Sequence, residues 1–219
     1  MLSLVRDKPS IDEYTPSEDR YKYESIHDLV NPGSTVGFEI LSTRQYDHWL
    51  HHDLSTIHNI GQIAAGLEGI VSINISSESI LMISDEMMYR ASKNKPGLVI
   101  EWIEAGCTAR KVQEAAARLR SWKSNFDIRL SIDDMGKGQD GLERFLLTNP
   151  DIAKIDGSII HGARESASYQ RVFKMLCQLC RDEDVPTVAE WIETSADLDL
   201  AIDCGARYGQ GFLFRELEG

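Results

Sequence analysis

The chain has 219 residues, 42% apolar and 26% charged, with a formal net charge of −12. That length suits one domain with a full core, and the composition excludes a disordered or low-complexity chain. The acidic excess argues against nonspecific binding of DNA, RNA or an anionic membrane; an anionic substrate needs metal ions or local basic groups to offset the field.

Residues 1–19 are polar, carry Pro9 and Pro16, and read as an irregular lead-in to a domain spanning 20–219. A strand is expected over 21–26, a turn at Asn31-Pro32-Gly33, and a returning strand over 35–41, which makes a hairpin. Leu54, Ile57, Ile60 and Ala64 recur at helical spacing within 53–65. A strand over 70–75 is followed by a helix capped by Ser76 or Ser77 and running to about Ala91. The strand over 98–103 leads to a helix capped by Thr108, with Val112, Ala115, Leu119 and Trp122 on one face. A strand over 128–132, a glycine-rich loop and a short helix over 142–147 come next, then a strand over 152–155. The helix over 168–182 turns Val172, Phe173, Leu176 and Leu179 inward. A strand over 186–189, a helix over 195–203 closed by Gly205, and a strand near 207–209 complete the chain. Eight strands alternating with about six helices predict a parallel sheet closed into a TIM-like (β/α)8 barrel, a single α/β domain in which the opening hairpin sets one strand against the rest.

Ligands of such a barrel gather at the downstream strand ends. Glu39, Asn74, Glu101, Asp133, Asp134, Lys154, Asp156 and Glu190 all fall there. Taken singly, a strand-end carboxylate caps a helix or faces water. Jointly, they form an oxygen-rich set suited to hard cations such as Mg²⁺ or Mn²⁺. The adjacent pair Asp133-Asp134 would repel unless cations lay between them. One of the pair can bridge two ions, an arrangement common in phosphoester cleavage. Lys154 adds a cation beside them, able to hold a water or a phosphate oxygen.

Four cysteines, Cys107, Cys177, Cys180 and Cys204, include one CxxC on a helical stretch, and are read as buried thiols. Met1 to Val5 is too short for a secretory segment before Arg6-Asp7, and no run reaches membrane-spanning length, so a cytoplasmic setting is expected. His48, His51, His52 and His58 are read as a solvated helix start, Met82, Met87 and Met88 as core filler, and Arg110, Arg118 and Arg120 as a solvated face.

From about 21 to 217 the chain resembles an EAL domain, the family of cyclic di-GMP phosphodiesterases. The resemblance is carried by Glu39-Ile40-Leu41, Asn74-Ile75-Ser76, Glu101-Trp102-Ile103-Glu104, Asp133-Asp134-Met135-Gly136, Lys154-Ile155-Asp156, Ala189-Glu190-Trp191-Ile192-Glu193 and Gln210-Gly211-Phe212-Leu213-Phe214, in that order. It implies a barrel with its first strand antiparallel, and two ions, Mg²⁺ or Mn²⁺, with Ca²⁺ inhibitory. Glu39, Asn74, Glu101, Asp133 and Glu190 would bind one ion, and Asp133 and Asp134 the other. Glu39, Lys154, Glu190 and Gln210 form the implied catalytic set, with Lys154 and Gln210 positioning the attacking water. Glu104 would anchor the loop after Asp134, while Leu41, Arg44, Asp156 and Glu193 would support that shell or the substrate. The product would be linear pGpG. A homodimer through barrel helices, a separate protein partner, and a non-hydrolytic member that only binds cyclic di-GMP stay open at this stage.

Four departures from the family's pattern stand out. Thr43 occupies the usual arginine position, with Arg44 one residue later. Only 35 residues separate Glu39 from Asn74, so the domain is shortened between its first and second ligand strands. The loop Gly136-Lys137-Gly138-Gln139-Asp140-Gly141 has Lys137 where the family has threonine. Trp191 replaces a glycine.

Overall fold

A hairpin opens the domain: β1 (Tyr21–Asp28) and β2 (Thr35–Ser42) pair antiparallel. Its turn is held by Asp28, whose Oδ1 accepts from the Val30 and Asn31 amides at 2.8 and 3.3 Å. The other oxygen meets Arg207 at 2.6 Å, which ties the turn to the end of the chain. This computed structural model describes residues 21–31, 34–44, 49–103, 108–138 and 141–217; the expected lead-in, Glu104 and Cys107 lie outside them.

Strands and helices then alternate: α1 (Leu50–Ile63), β3 (Ile70–Ser76), α2 (Ser77–Met82), α3 (Asp85–Asn94), β4 (Leu98–Ile103), α4 (Ala109–Asn125), β5 (Ile128–Met135), α5 (Gly141–Thr148), β6 (Ile152–Ile155), α6 (Gly157–Glu165), α7 (Ala167–Asp182), β7 (Thr187–Ala189), α8 (Ser195–Cys204), β8 (Tyr208–Gly209) and α9 (Phe212–Leu217). The strands close in sequence order into a barrel. β1 runs against both β2 and β8, and every other pair is parallel, as the hairpin required.

Two apolar layers hold it together. The larger fills the space between sheet and helices and includes Ile57, Ile73, Ile100, Trp122, Phe173 and Phe214. The smaller, Ile26, Ile70, Val99, Ile152 and Val188, plugs the barrel interior.

Several sequence expectations need correction. The helix expected up to Ala91 is two helices, because Ser84 breaks the run and caps α3 by accepting from the Met87 amide. Helices α6 and α9 were not expected, and α6 carries Gly162, a weak helix former. Val172 faces solvent, while Cys177 and Cys180 join Phe173 and Leu176 in the core. Burial pushes the Cys177 thiol up to about 12 and the Cys180 thiol up to about 11, which leaves both unreactive. Met82 is exposed, although Met87 and Met88 are buried as expected. His52 is buried against Tyr21 and Trp49 rather than solvated. Arg118 is not free in solvent either: it donates to the Ile83 carbonyl and to Asp85 and lies over the Trp122 ring. Arg120 donates to the Leu147 carbonyl. Among the described residues no helix is long and apolar enough to cross a membrane.

Candidate active site

Strand geometry alone explains why the acidic residues meet. Side chains alternate between the two faces of a strand, so the residue two positions beyond an interior one is interior again. From the plug residues Ile70, Val99, Ile152 and Val188 that step leads to Ser72, Glu101, Lys154 and Glu190. Register extends the ring: Glu39 lies beside Ser72, Asn74 beside Glu101, and Glu101 beside Ser131, whose next interior position is Asp133. An apolar floor is thus capped by a polar layer at the downstream rim.

Adjacent residues of a regular strand point to opposite sides, so Asp133 and Asp134 could not both face the rim without a break. The break is present. The β5–β6 register shifts between Ile132 and Met135, and Asp134 takes a left-handed backbone with φ 59°. Aspartate tolerates that conformation better than most residues with a side chain. The Arg144 guanidinium fixes the bulge from beneath, donating to the Asp133 carbonyl at 2.9 Å and to the Trp102 carbonyl. Carboxylate oxygens of Asp133, Asp134 and Glu190 consequently lie within 4.8 Å of one another.

Lys154 stands at the centre. Its Nζ lies 2.8 Å from Glu39 Oε2, 3.0 Å from Glu101 Oε2, 2.9 Å from Glu190 Oε1 and 3.5 Å from Asp133 Oδ1. Three close acceptors match the three donors of an ammonium. Glu39 also accepts from Asn74 Nδ2 at 2.7 Å and from Gln210 Nε2 at 2.8 Å. Burial works to raise the Glu39 carboxyl, but the Lys154 charge and these donors outweigh it and hold the group below its usual value. Glu101 goes the other way: burial, then the charge of Glu39, pushes it up to about 8. Burial likewise lifts Glu190 well above the carboxylate range, against the pull of Lys154. Burial works to lower Lys154, yet its four acidic neighbours raise it well above an ordinary lysine. One ammonium therefore faces more acid than it can neutralise.

A divalent cation fits this excess. Every donor in the set is oxygen, the ligand chemistry of Mg²⁺ and Mn²⁺. Asn74 spends its amide N–H on Glu39, which leaves its Oδ1 buried with no hydrogen-bond partner, and buried Asp133 Oδ1 has no hydrogen bond beyond the Lys154 charge at 3.5 Å. Buried acceptors rarely go unpaired unless a function needs them.

A family model of the EAL domain matches residues 50–216. The chain belongs to the EAL domain family. Its relatives include the cyclic di-GMP phosphodiesterase PdeA of Borreliella burgdorferi, 26% identical over 152 residues, or 68% of this chain and 23% of that protein. The cyclic di-GMP phosphodiesterase PdeF of Escherichia coli is 31% identical over 85 residues, 39% of this chain and 11% of that protein. The chain thus spans about a quarter or less of the length of these curated relatives. Klebsiella pneumoniae BlrP1, in a manganese and cyclic di-GMP complex, shares the fold with a TM-score of 0.73 at 21% identity, over 92% of this chain and 56% of that one.

The cleft of this EAL domain has a volume of about 350 Å³ and is lined by Glu39, Leu41, Asn74, Asp133, Asp134, Lys154, Asp156, Glu190 and Gln210, among others. Asp156 caps α6 by accepting from the Ser158 amide at 2.9 Å. Its other oxygen, and Asp134, face Lys137 Nζ at 3.4 and 3.3 Å. Burial, then the charge of Asp133, raises the Asp134 carboxyl. Three predicted residues are not brought to the lining: Glu101 is buried behind Lys154, Arg44 is exposed beyond the end of β2, and Glu193 pairs with Arg164 at 3.1 Å beside α6. The sequence reading missed Tyr21, Trp49, His52 and Thr56, which form one wall. The histidines near the start of α1 were visible as a cluster, but only the packing of α1 on β1 shows that His52 faces inward.

Proposed function

We propose that this chain is a metal-dependent phosphodiesterase that hydrolyses cyclic di-GMP to linear pGpG. The observation that carries the reading is the ring of Glu39, Asn74, Glu101, Asp133 and Glu190 around Lys154, with the Asp133–Asp134 bulge beside it. The names of the relatives point to the same substrate.

Glu39, Asn74, Glu101, Asp133 and Glu190 would hold one ion, and Asp133 with Asp134 the second. Bound Mg²⁺ or Mn²⁺ would supply positive charge to the phosphoryl oxygens and make a water more acidic. The protein's own groups do the rest. The Lys154 ammonium keeps its charge at any physiological pH and offsets the phosphate. Gln210 gives its N–H to Glu39, so its buried, unpartnered Oε1 is the acceptor that can orient an attacking water. That water adds to phosphorus as one P–O3′ bond breaks, leaving a 5′-phosphate end and, after protonation, a free 3′-hydroxyl. Ca²⁺, with its looser geometry, would inhibit. Leu146 on α5 and Met175 on α7 are exposed apolar side chains on barrel helices, and a homodimer would be built from such helices.

The test is incubation with cyclic di-GMP and Mg²⁺ or Mn²⁺, with linear product followed by chromatography. Turnover that Glu39→Ala abolishes supports the reading. A second reading, a non-hydrolytic binder, is favoured by Lys137 lying against Asp134 and by Arg44 lying off the cleft. Intact nucleotide binding without turnover in either metal is its signature.

A further inference from the structure

Trp191 follows Glu190 directly and lines the cleft, with 49% of its surface exposed. Its backbone is left-handed, φ 56°, which favours glycine over any residue with a Cβ. An exposed tryptophan at such a position is a poor choice for stability. Nevertheless its seat is built. The ring rests on Gly157 at the start of α6, where an added Cβ would lie 2.3 Å from the indole. His161, one turn further along α6, backs the indole with ring centroids 5.5 Å apart. The seat lies beside Asp156, which pairs with Lys137, and Lys137 in turn pairs with Asp134 of the rim.

We infer that Trp191 is the platform on which one planar base of the substrate stacks, so that strain in the backbone is exchanged for affinity. The inference rests on the cyclic dinucleotide reading above. Every base presents a flat π-face and an indole presents another, so stacking needs no hydrogen-bond code. A base held here lies next to the Asp134–Asp156 side of the rim, which brings the adjoining phosphate towards Lys154 and the carboxylates. Trp191 thus acts in binding, one residue away from Glu190 in the carboxylate ring.

The experiment compares wild type, Trp191→Gly and Trp191→Phe on cyclic di-GMP with Mn²⁺, reading KM, kcat and melting temperature. Glycine removes the ring and also the backbone strain, so this variant should melt close to wild type. Its KM should rise by about 5- to 150-fold, the usual effect of losing one base stack, with kcat nearly unchanged. Phenylalanine should recover most of the loss. An active wild type whose Gly variant keeps the same KM overturns the inference alone. A Phe variant as impaired as the Gly variant also overturns it, since a stacking face would then be irrelevant. If wild type binds without turnover, Kd replaces KM in the same comparison. If wild type neither binds nor cleaves the dinucleotide, the phosphodiesterase reading fails and this inference with it.

Discussion

Lys154→Met is the most searching perturbation of the site. The methionine matches the lysine stem but removes a charge that is only 2% exposed and touches three carboxylates at 2.8–3.0 Å. Each contact is worth about 6 kcal/mol in gross Coulomb energy at an effective dielectric of ~20, but desolvation cancels most of that. Breaking a buried pair by removing one partner leaves a net cost of about 3–5 kcal/mol. For a domain of this size that corresponds to a fall in melting temperature of roughly 6–20 °C. The loss should be full in chelator near pH 8, where the carboxylates are most nearly ionised. It should shrink in acid, where they take up protons, and in saturating Mn²⁺, where added cations replace the ammonium. Circular-dichroism melts across these conditions measure it. A variant that melts with wild type in chelator, or a deficit unaffected by both acid and Mn²⁺, would refute the charge-balance reasoning.

Three further outcomes are expected. Glu101, near 8 when folded against 4.5 when free, holds a proton over that window that the unfolded chain gives up. Metal-free stability should therefore fall as pH rises from 4.5 to 8, by up to about 1.4 kcal/mol per pH unit, and denaturant titrations should show Mn²⁺ flattening the slope. Lys137→Ala removes a half-exposed cation 3.3 Å from Asp134 and should tighten divalent binding by up to about fivefold in calorimetry. Asp197 is fully buried, accepts from Arg164 twice at 2.7 Å and forms a capping box with Thr194. Asp197→Ala should cost about 2–4 kcal/mol in chemical denaturation and leave the number of bound ions unchanged, since Asp197 lies outside the rim.

The barrel was legible because both of its periodicities are local: alternation over 70–75 and 98–103, and helical spacing from Leu54 to Ala64. The rim was legible for the same reason, since Glu101, Lys154 and Glu190 each follow a β-type run. What escaped depends on contacts between distant segments. The left-handed turn at Asp134 exists because Arg144, ten residues on, grips the Asp133 carbonyl. Helix α6 is short and glycine-bearing, so packing on α7 and α8 rather than propensity stabilises it. His52 gave no sign of burial beside His51, because only the fold says which face of α1 meets β1.

The most direct test of the shared-cation rim is a Mn²⁺ titration of the metal-free protein followed by electron paramagnetic resonance, with and without cyclic di-GMP. Wild type should remove Mn²⁺ from solution at saturable sites, and Glu39→Ala and Asp133→Ala should each weaken that uptake severely. A wild-type protein that leaves all Mn²⁺ free even with the dinucleotide present would contradict the site.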